Sequence, residues 1–106
     1  MNNCDYPSPT EQTHDHEFLG STRLAEECNY RHNHRFAGIS SEAIPAKGSH
    51  VHKIKTRTDF FGHFHEICVT TSPSIPVGNG KHVHLATGVT TLVDYHQHEF
   101  IFATLI

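Results

Sequence analysis

The chain of 106 residues has no tryptophan, one methionine and 36% hydrophobic residues. A domain of this size buries only about two thirds of its unfolded surface, so a chain this poor in large apolar side chains has a thin core. Cross-linking by metal, disulfide or association between chains is therefore expected to supplement it. Long apolar runs are also missing, which excludes a membrane-spanning helix. Lysine and arginine number 8 against 11 acidic residues. They are scattered, which argues against a nucleic-acid surface.

Residues 1–13 are polar and include Pro7 and Pro9, so they read as a flexible, extended N-terminal arm. They lack the apolar stretch of a signal peptide. The expectation is a cytoplasmic protein, the alternative being the cell or spore surface, reached by a non-classical route. The three cysteines, Cys4, Cys28 and Cys68, are too few and too widely spaced for a zinc ribbon or a C-x-x-C site. They are expected to be reduced thiols, with Cys4 open to an intermolecular disulfide outside the cell.

What the chain has in excess is histidine. All 12 occur in six His-x-His units: His14/His16, His32/His34, His50/His52, His63/His65, His82/His84 and His96/His98. Each unit begins a longer repeat, H-x-H-x-Φ-x-x-x-(T/S). Position five is Phe18, Phe36, Ile54, Ile67, Ala86 and Phe100. Position seven is Gly20, Gly38, Thr56, Val69, Gly88 and Phe102. Position nine is Thr22, Ser40, Thr58, Thr71, Thr90 and Thr104. Only odd positions are constrained, and a period of two is the mark of a β-strand with one constrained face. The fold class is therefore all-β, with six strands of about nine residues over 14–106. Cys68, at an even position, faces away from the histidines.

The connections differ in character. Leu24–Glu27 has the composition of one helical turn. Ser41–Ser49 and Ser72–Lys81, with Pro45, Gly48 and Gly78-Asn79-Gly80, read as loops. The third and fourth strands, and the fifth and sixth, are close enough to form antiparallel hairpins. The expected registers pair Thr58 with His63, Ile54 with Ile67, Thr90 with His96 and Ala86 with Phe100. They keep every histidine on one face and put a position-nine hydroxyl beside each position-one imidazole.

Histidines at i and i+2 on a strand point the same way, about 7 Å apart at Cα. Neutral imidazole is the commonest protein metal ligand. Three His-x-His units supply six nitrogens, an octahedral set, so the twelve histidines provide for about two metal ions per chain. All-imidazole octahedral ligation suits Fe²⁺ first, then Ni²⁺ or Zn²⁺. One isolated pair would read as solvent-facing polar residues, but six aligned pairs do not. A pH switch would follow from ligation itself, since protonation ejects metal. An enzyme is not expected, because a catalytic metal keeps an open position and usually has a carboxylate base. Glu17, Glu66 and Glu99 lie at position four, on the other face.

HEFLGST at 16–22, HNHRFAG at 32–38, TDFF at 58–61, VGNGKHVH at 77–84 and HEFIFATLI at 98–106 resemble the YmaF family, small His-rich proteins of Bacillus-type bacteria. The resemblance covers nearly the whole chain after the arm and implies no known activity. The His-x-His unit alone is similar to one in the spikes of contractile phage tails. That likeness implies iron held by six histidines on the axis of a trimeric β-prism.

Two architectures satisfy these constraints. One is a closed six-stranded up-and-down barrel, with odd and even repeats bringing their histidines to opposite ends, one metal at each. The other is an intertwined trimeric β-prism. The expected function is a metal-binding structural protein, its fold and assembly held by His₆ sites. It would form a homo-oligomer, most naturally three-fold and open to stacking into a fibre. The alternative is soluble metal storage, buffering or sensing.

Overall fold

The computed structural model describes residues 13–26 and 31–106. The described residues form ten short strands: β1 (Glu17–Ser21), β2 (Arg35–Ile39), β3 (Ile44–Ala46), β4 (Ser49–Val51), β5 (Lys53–Arg57), β6 (Glu66–Thr70), β7 (Ile75–Gly78), β8 (Lys81–Val83), β9 (Leu85–Val89) and β10 (Glu99–Ala103). They pair antiparallel into five two-stranded sheets: β1-β2, β3-β4, β5-β6, β7-β8 and β9-β10. The six repeats supply the six longest strands, and each ladder spans positions four to eight of its repeat. The expected strands of nine residues are therefore shorter, with the histidines just ahead of each ladder.

β1-β2, β5-β6 and β9-β10 form the three sides of a prism, touching edge to edge through β2 with β5, β6 with β9, and β10 with β1. Six backbone bonds cross the three seams. Each runs from the amide after a position-nine residue to a position-four carbonyl: Ser41 to Lys53 and Asp59 to Arg35, Ser72 to Leu85 and Thr91 to Glu66, Leu105 to Glu17 and Arg23 to Glu99. No ladder runs along a seam, so the closed barrel expected from the sequence is not formed. A closed six-stranded ring is narrower than the eight-stranded barrel that side chains just fill. Phe18, Phe36, Phe100 and Phe102 all point inward, and open seams give them room. Within one chain, the three hairpins form a three-sided prism.

The core holds all six position-five residues and Phe102. Position five faces position seven across each ladder: Phe18 opposes Gly38, Gly20 opposes Phe36, Ile54 opposes Val69, Thr56 opposes Ile67, Phe100 opposes Gly88 and Phe102 opposes Ala86. Large residues thus meet small or medium ones. The two hairpin registers expected from the sequence are offset from this by two residues: Thr58 lies across from His65 and Thr90 from His98, instead of His63 and His96. A slip of two preserves the face. It also separates Phe100 from Ala86 and seats its ring on Gly88.

The two segments expected to be loops are hairpins. β3-β4 turns through Lys47 (φ 45°) and Gly48 (φ 79°), and β7-β8 through Asn79 (φ 54°) and Gly80 (φ 75°). Two successive positive φ values make the type I′ turn suited to two-residue hairpins. The expected helical turn is also absent: Ala25 bridges His32 and Glu26 adopts φ 72°, while Glu27 lies outside the described residues. No described residue is helical. The arm expected over 1–13 lies outside the description except for Thr13, whose amide donates to Glu42 Oε1. Cys68 is on the outer face, as expected, but it is disulfide-bonded, which corrects the expectation of reduced thiols. Its partner is outside the described residues.

A Cβ added at Gly38 would stand 2.8 Å from Phe18 Cζ. Phe18 is buried and cannot withdraw. Gly38→Val is expected to destabilise the fold by about 1–3 kcal/mol in denaturant titration, although valine is the better strand former. Adding Phe18→Val should restore part of the loss. A neutral Gly38→Val would contradict this packing.

Candidate metal centres

The position-three histidines are fixed by the same three contacts in every repeat. Each backbone N–H donates to the position-nine hydroxyl of the paired strand: His16 to Ser40, His34 to Thr22, His52 to Thr71, His65 to Thr58, His84 to Thr104 and His98 to Thr90, at 2.9–3.1 Å. Each carbonyl accepts the position-nine amide in return. Each Nδ1–H donates to the carbonyl of the residue after a position-nine side chain on a neighbouring sheet: His16 to Leu105, His34 to Asp59, His52 to Ser41, His65 to Thr91, His84 to Ser72 and His98 to Arg23, at 2.8–3.0 Å. A carbonyl only accepts, so the proton must be on Nδ1. Nε2 is then a bare lone pair. The position-nine hydroxyl was expected to serve a position-one imidazole; it serves the backbone of position three, with Ser40 and Thr71 also 3.4 Å from Nδ1 of His52 and His84, and a main-chain carbonyl holds the ring. A carbonyl leaves no mark in a sequence, so this contact was not legible there.

Four of the position-one histidines are held by the segments that connect the repeats. His50 opposes Pro45 in the β3-β4 hairpin and His82 opposes Pro76 in β7-β8. His32 bridges Ala25, and His96 bridges Val93 across a turn through Asp94 and Tyr95. The position-three rings are buried and the position-one rings half-buried.

All twelve histidines expected as ligands come together, in two sets. Odd repeats meet at one end of the prism (His14, His16, His50, His52, His82, His84) and even repeats at the other (His32, His34, His63, His65, His96, His98). Within each set one ligand atom from every residue lies within 4.8 Å of all the others. Neighbouring Nε2 atoms are 3.1 Å apart for His14–His50, His16–His82 and His50–His82 in the first set. They are 3.1–3.2 Å apart for His34–His63, His63–His96 and His98–His32 in the second. Metal–imidazole bonds of about 2.0–2.2 Å put adjacent corners of an octahedron about 2.8–3.1 Å apart. The rings of neighbouring histidines stand steeply to one another, 66° to 90° in the first set.

Without a cation this geometry is unfavourable. His52 Nε2 and His84 Nε2 are buried with no hydrogen-bond partner, and a buried unsatisfied polar atom costs about 1–3 kcal/mol. Both also donate Nδ1–H elsewhere, so their free lone pairs face the centre of the set. The donor set therefore fits a transition-metal ion, and each set is complete within one chain.

The second set also has carboxylates around it. Glu26 Oε1 is 2.9 Å from His96 Nδ1, Asp59 Oδ1 is 3.2 Å from His34 Nδ1, and Asp94 Oδ2 is 3.5 Å from His63 Nδ1. The sequence reading missed all three, because nothing in the repeat specifies them. No carboxylate among the described residues reaches a first-set imidazole in this way.

Residues 11–106 match the model of the YmaF family, described as "Spore germination protein GerY/YamF". No curated protein matches, and no solved structure matches.

Burial, and then the neighbouring imidazoles, lower the His50 pKa to about 4. Burial also brings His52 and His98 to about 4, against their carbonyl contacts, and lowers His63, His65, His82 and His84. These groups are neutral when folded and bind protons more readily when unfolded, so stability rises with pH through this window. It is fully present above about 6.5, the unfolded value, and lost as pH falls towards 4. Acid titration followed by circular dichroism should show unfolding between those values. Stability that stayed flat from pH 7 to 4 would contradict the buried histidine sets.

Proposed function

We propose that this chain, which belongs to the YmaF family, is a metal-stapled structural protein holding one transition-metal ion at each end of its prism. The observation that carries the reading is the convergence of six Nε2 donors in each set at octahedral spacing. Each ion would join all three sheets. It would replace lone-pair repulsion with coordination at the two places where the seven-residue core does not reach. Six imidazoles favour Fe²⁺, with Ni²⁺ or Zn²⁺ next, since structural zinc is usually tetrahedral. Six protein ligands leave no position for a substrate, which supports a non-enzymatic role.

A three-fold oligomer or fibre is not needed to complete either site. Self-association remains part of the proposal only through exposed apolar residues such as Phe60, Phe61 and Leu92. The Cys68 disulfide supports the cell or spore surface over the cytoplasm, because disulfides persist in oxidising surroundings. The family description points to spores in the same way.

Elemental analysis of protein purified without a nickel column is expected to give two transition-metal ions per chain. His52→Ala with His84→Ala should leave one. Metal binding only the folded state stabilises it by about 4 kcal/mol per site when free metal exceeds Kd about 1,000-fold, so chelation should lower the melting temperature sharply. Loss that is fast and complete at neutral pH without unfolding would favour metal storage or buffering over the structural role. Metal-free protein with an unchanged melting temperature would overturn the reading.

A further inference from the structure

Among the described residues, the two histidine sets share one ligand arrangement but not one electrostatic environment. In the first set the position-three rings donate Nδ1–H to the carbonyls of Leu105, Ser41 and Ser72. These acceptors are dipoles and carry no charge. Asp15 and Lys81, of opposite sign, flank this end, and neither contacts an imidazole nitrogen. The second set makes the same carbonyl contacts, to Asp59, Thr91 and Arg23, and adds carboxylate oxygens near Nδ1 of three histidines: Glu26 at His96 (2.9 Å), Asp59 at His34 (3.2 Å, sharing the N–H with its own carbonyl) and Asp94 at His63 (3.5 Å). The three partners come from three different sheets of the prism, so the negative charge surrounds the set.

The backbone supports a specific placement. Asp94 is at φ 51° and Glu26 at φ 72°. Aspartate tolerates the left-handed region, but glutamate rarely adopts it, and such strain persists only where the surroundings impose it. Glu26 is also the least exposed of the three carboxylates, at 33% against 56% for Asp59 and 67% for Asp94. Solvent screens it least, and its contact is the shortest.

A carboxylate beside Nδ1–H makes the imidazole a more basic ligand, and partners of this kind tune metal affinity and potential. Six neutral imidazoles leave the whole charge of the ion uncompensated. Three carboxylates one ring away offset it, and they do so more strongly for a trivalent ion than for a divalent one. We infer that the two centres are inequivalent, the second set being tuned by Glu26, Asp59 and Asp94 to favour a trivalent ion such as Fe³⁺ and the first set to retain a divalent one. The three carboxylates act through the ligands and are positioning residues. This inference rests on the metal-binding reading above.

The test is a redox titration of the iron-loaded full chain. Each Fe²⁺ gives one electron to a soluble one-electron mediator such as ferricyanide and becomes Fe³⁺, without a proton or a bond change at the protein. Two one-electron steps are expected, and the lower-potential one should disappear in His65→Ala/His98→Ala, which keeps the first set. Glu26→Gln, which preserves shape and removes charge, should weaken the Fe³⁺ over Fe²⁺ preference of that step at least tenfold, or 59 mV for one electron, and leave the other step in place. Glu26→Asp should fall between. Two bound irons titrating as one step, or a Glu26→Gln shift equal in both steps, would overturn the inference while leaving the metal sites intact. A chain that takes up no iron, nickel or zinc would instead defeat the metal-binding reading itself.

Discussion

Six imidazoles converge at each end of the prism, and the carbonyl contacts of the position-three rings leave three bare Nε2 lone pairs in each set. Everything else in the fold maintains that arrangement. The position-nine hydroxyl takes the backbone N–H of the position-three histidine on its own sheet, and the next carbonyl takes the ring N–H of the position-three histidine on the neighbouring sheet: Ser40 serves His16, and His52 is served by Ser41. The amide of that same residue crosses the seam to a position-four carbonyl. One short segment therefore fixes the backbone of one position-three histidine, selects the tautomer of another and joins two sheets. Repeated six times, it makes the ends of the prism more highly determined than its middle, where seven apolar side chains make up the core. A cation at each end would satisfy these lone pairs and cross-link the three sheets.

The repeat also explains why one chain achieves a three-fold arrangement. A hairpin has two strands running in opposite directions, so its two repeats deliver their histidines to opposite ends. Three hairpins then deliver three pairs to each end, which is the number an octahedron requires. The small hairpins β3-β4 and β7-β8 connect the sides and carry His50 and His82 on their second strands. Ser49 and Ser74 hydrogen-bond between these connecting segments, tying the two together on the first-set side.

Much of this was legible in the sequence, because period-two constraint is a strong signal. The inward face, the six position-five core residues, all twelve candidate ligands and the split of odd from even repeats between two ends could be read from residue types and strand direction alone. The register could not. Pairing by turn length alone placed Ile54 against Ile67 and Ala86 against Phe100. The side-chain volumes that decide it put Phe100 on Gly88 and Phe18 on Gly38. Pro45 and Pro76 suggested loops, but each lies on a two-stranded sheet, where an edge strand tolerates the missing N–H. Glu26, Asp59 and Asp94 lie outside the repeat, and only the fold brings them to the rings of His96, His34 and His63.

The central claim is that each end of the prism is a six-imidazole octahedron. X-ray absorption spectroscopy on the metal-loaded protein tests it most directly, because the fine structure counts ligands and identifies imidazole by its outer shells. Six nitrogen donors at about 2.0–2.2 Å are expected, all with imidazole scattering and none with sulfur. Four-coordinate metal, or a first shell containing sulfur or several water or carboxylate oxygens, would contradict it.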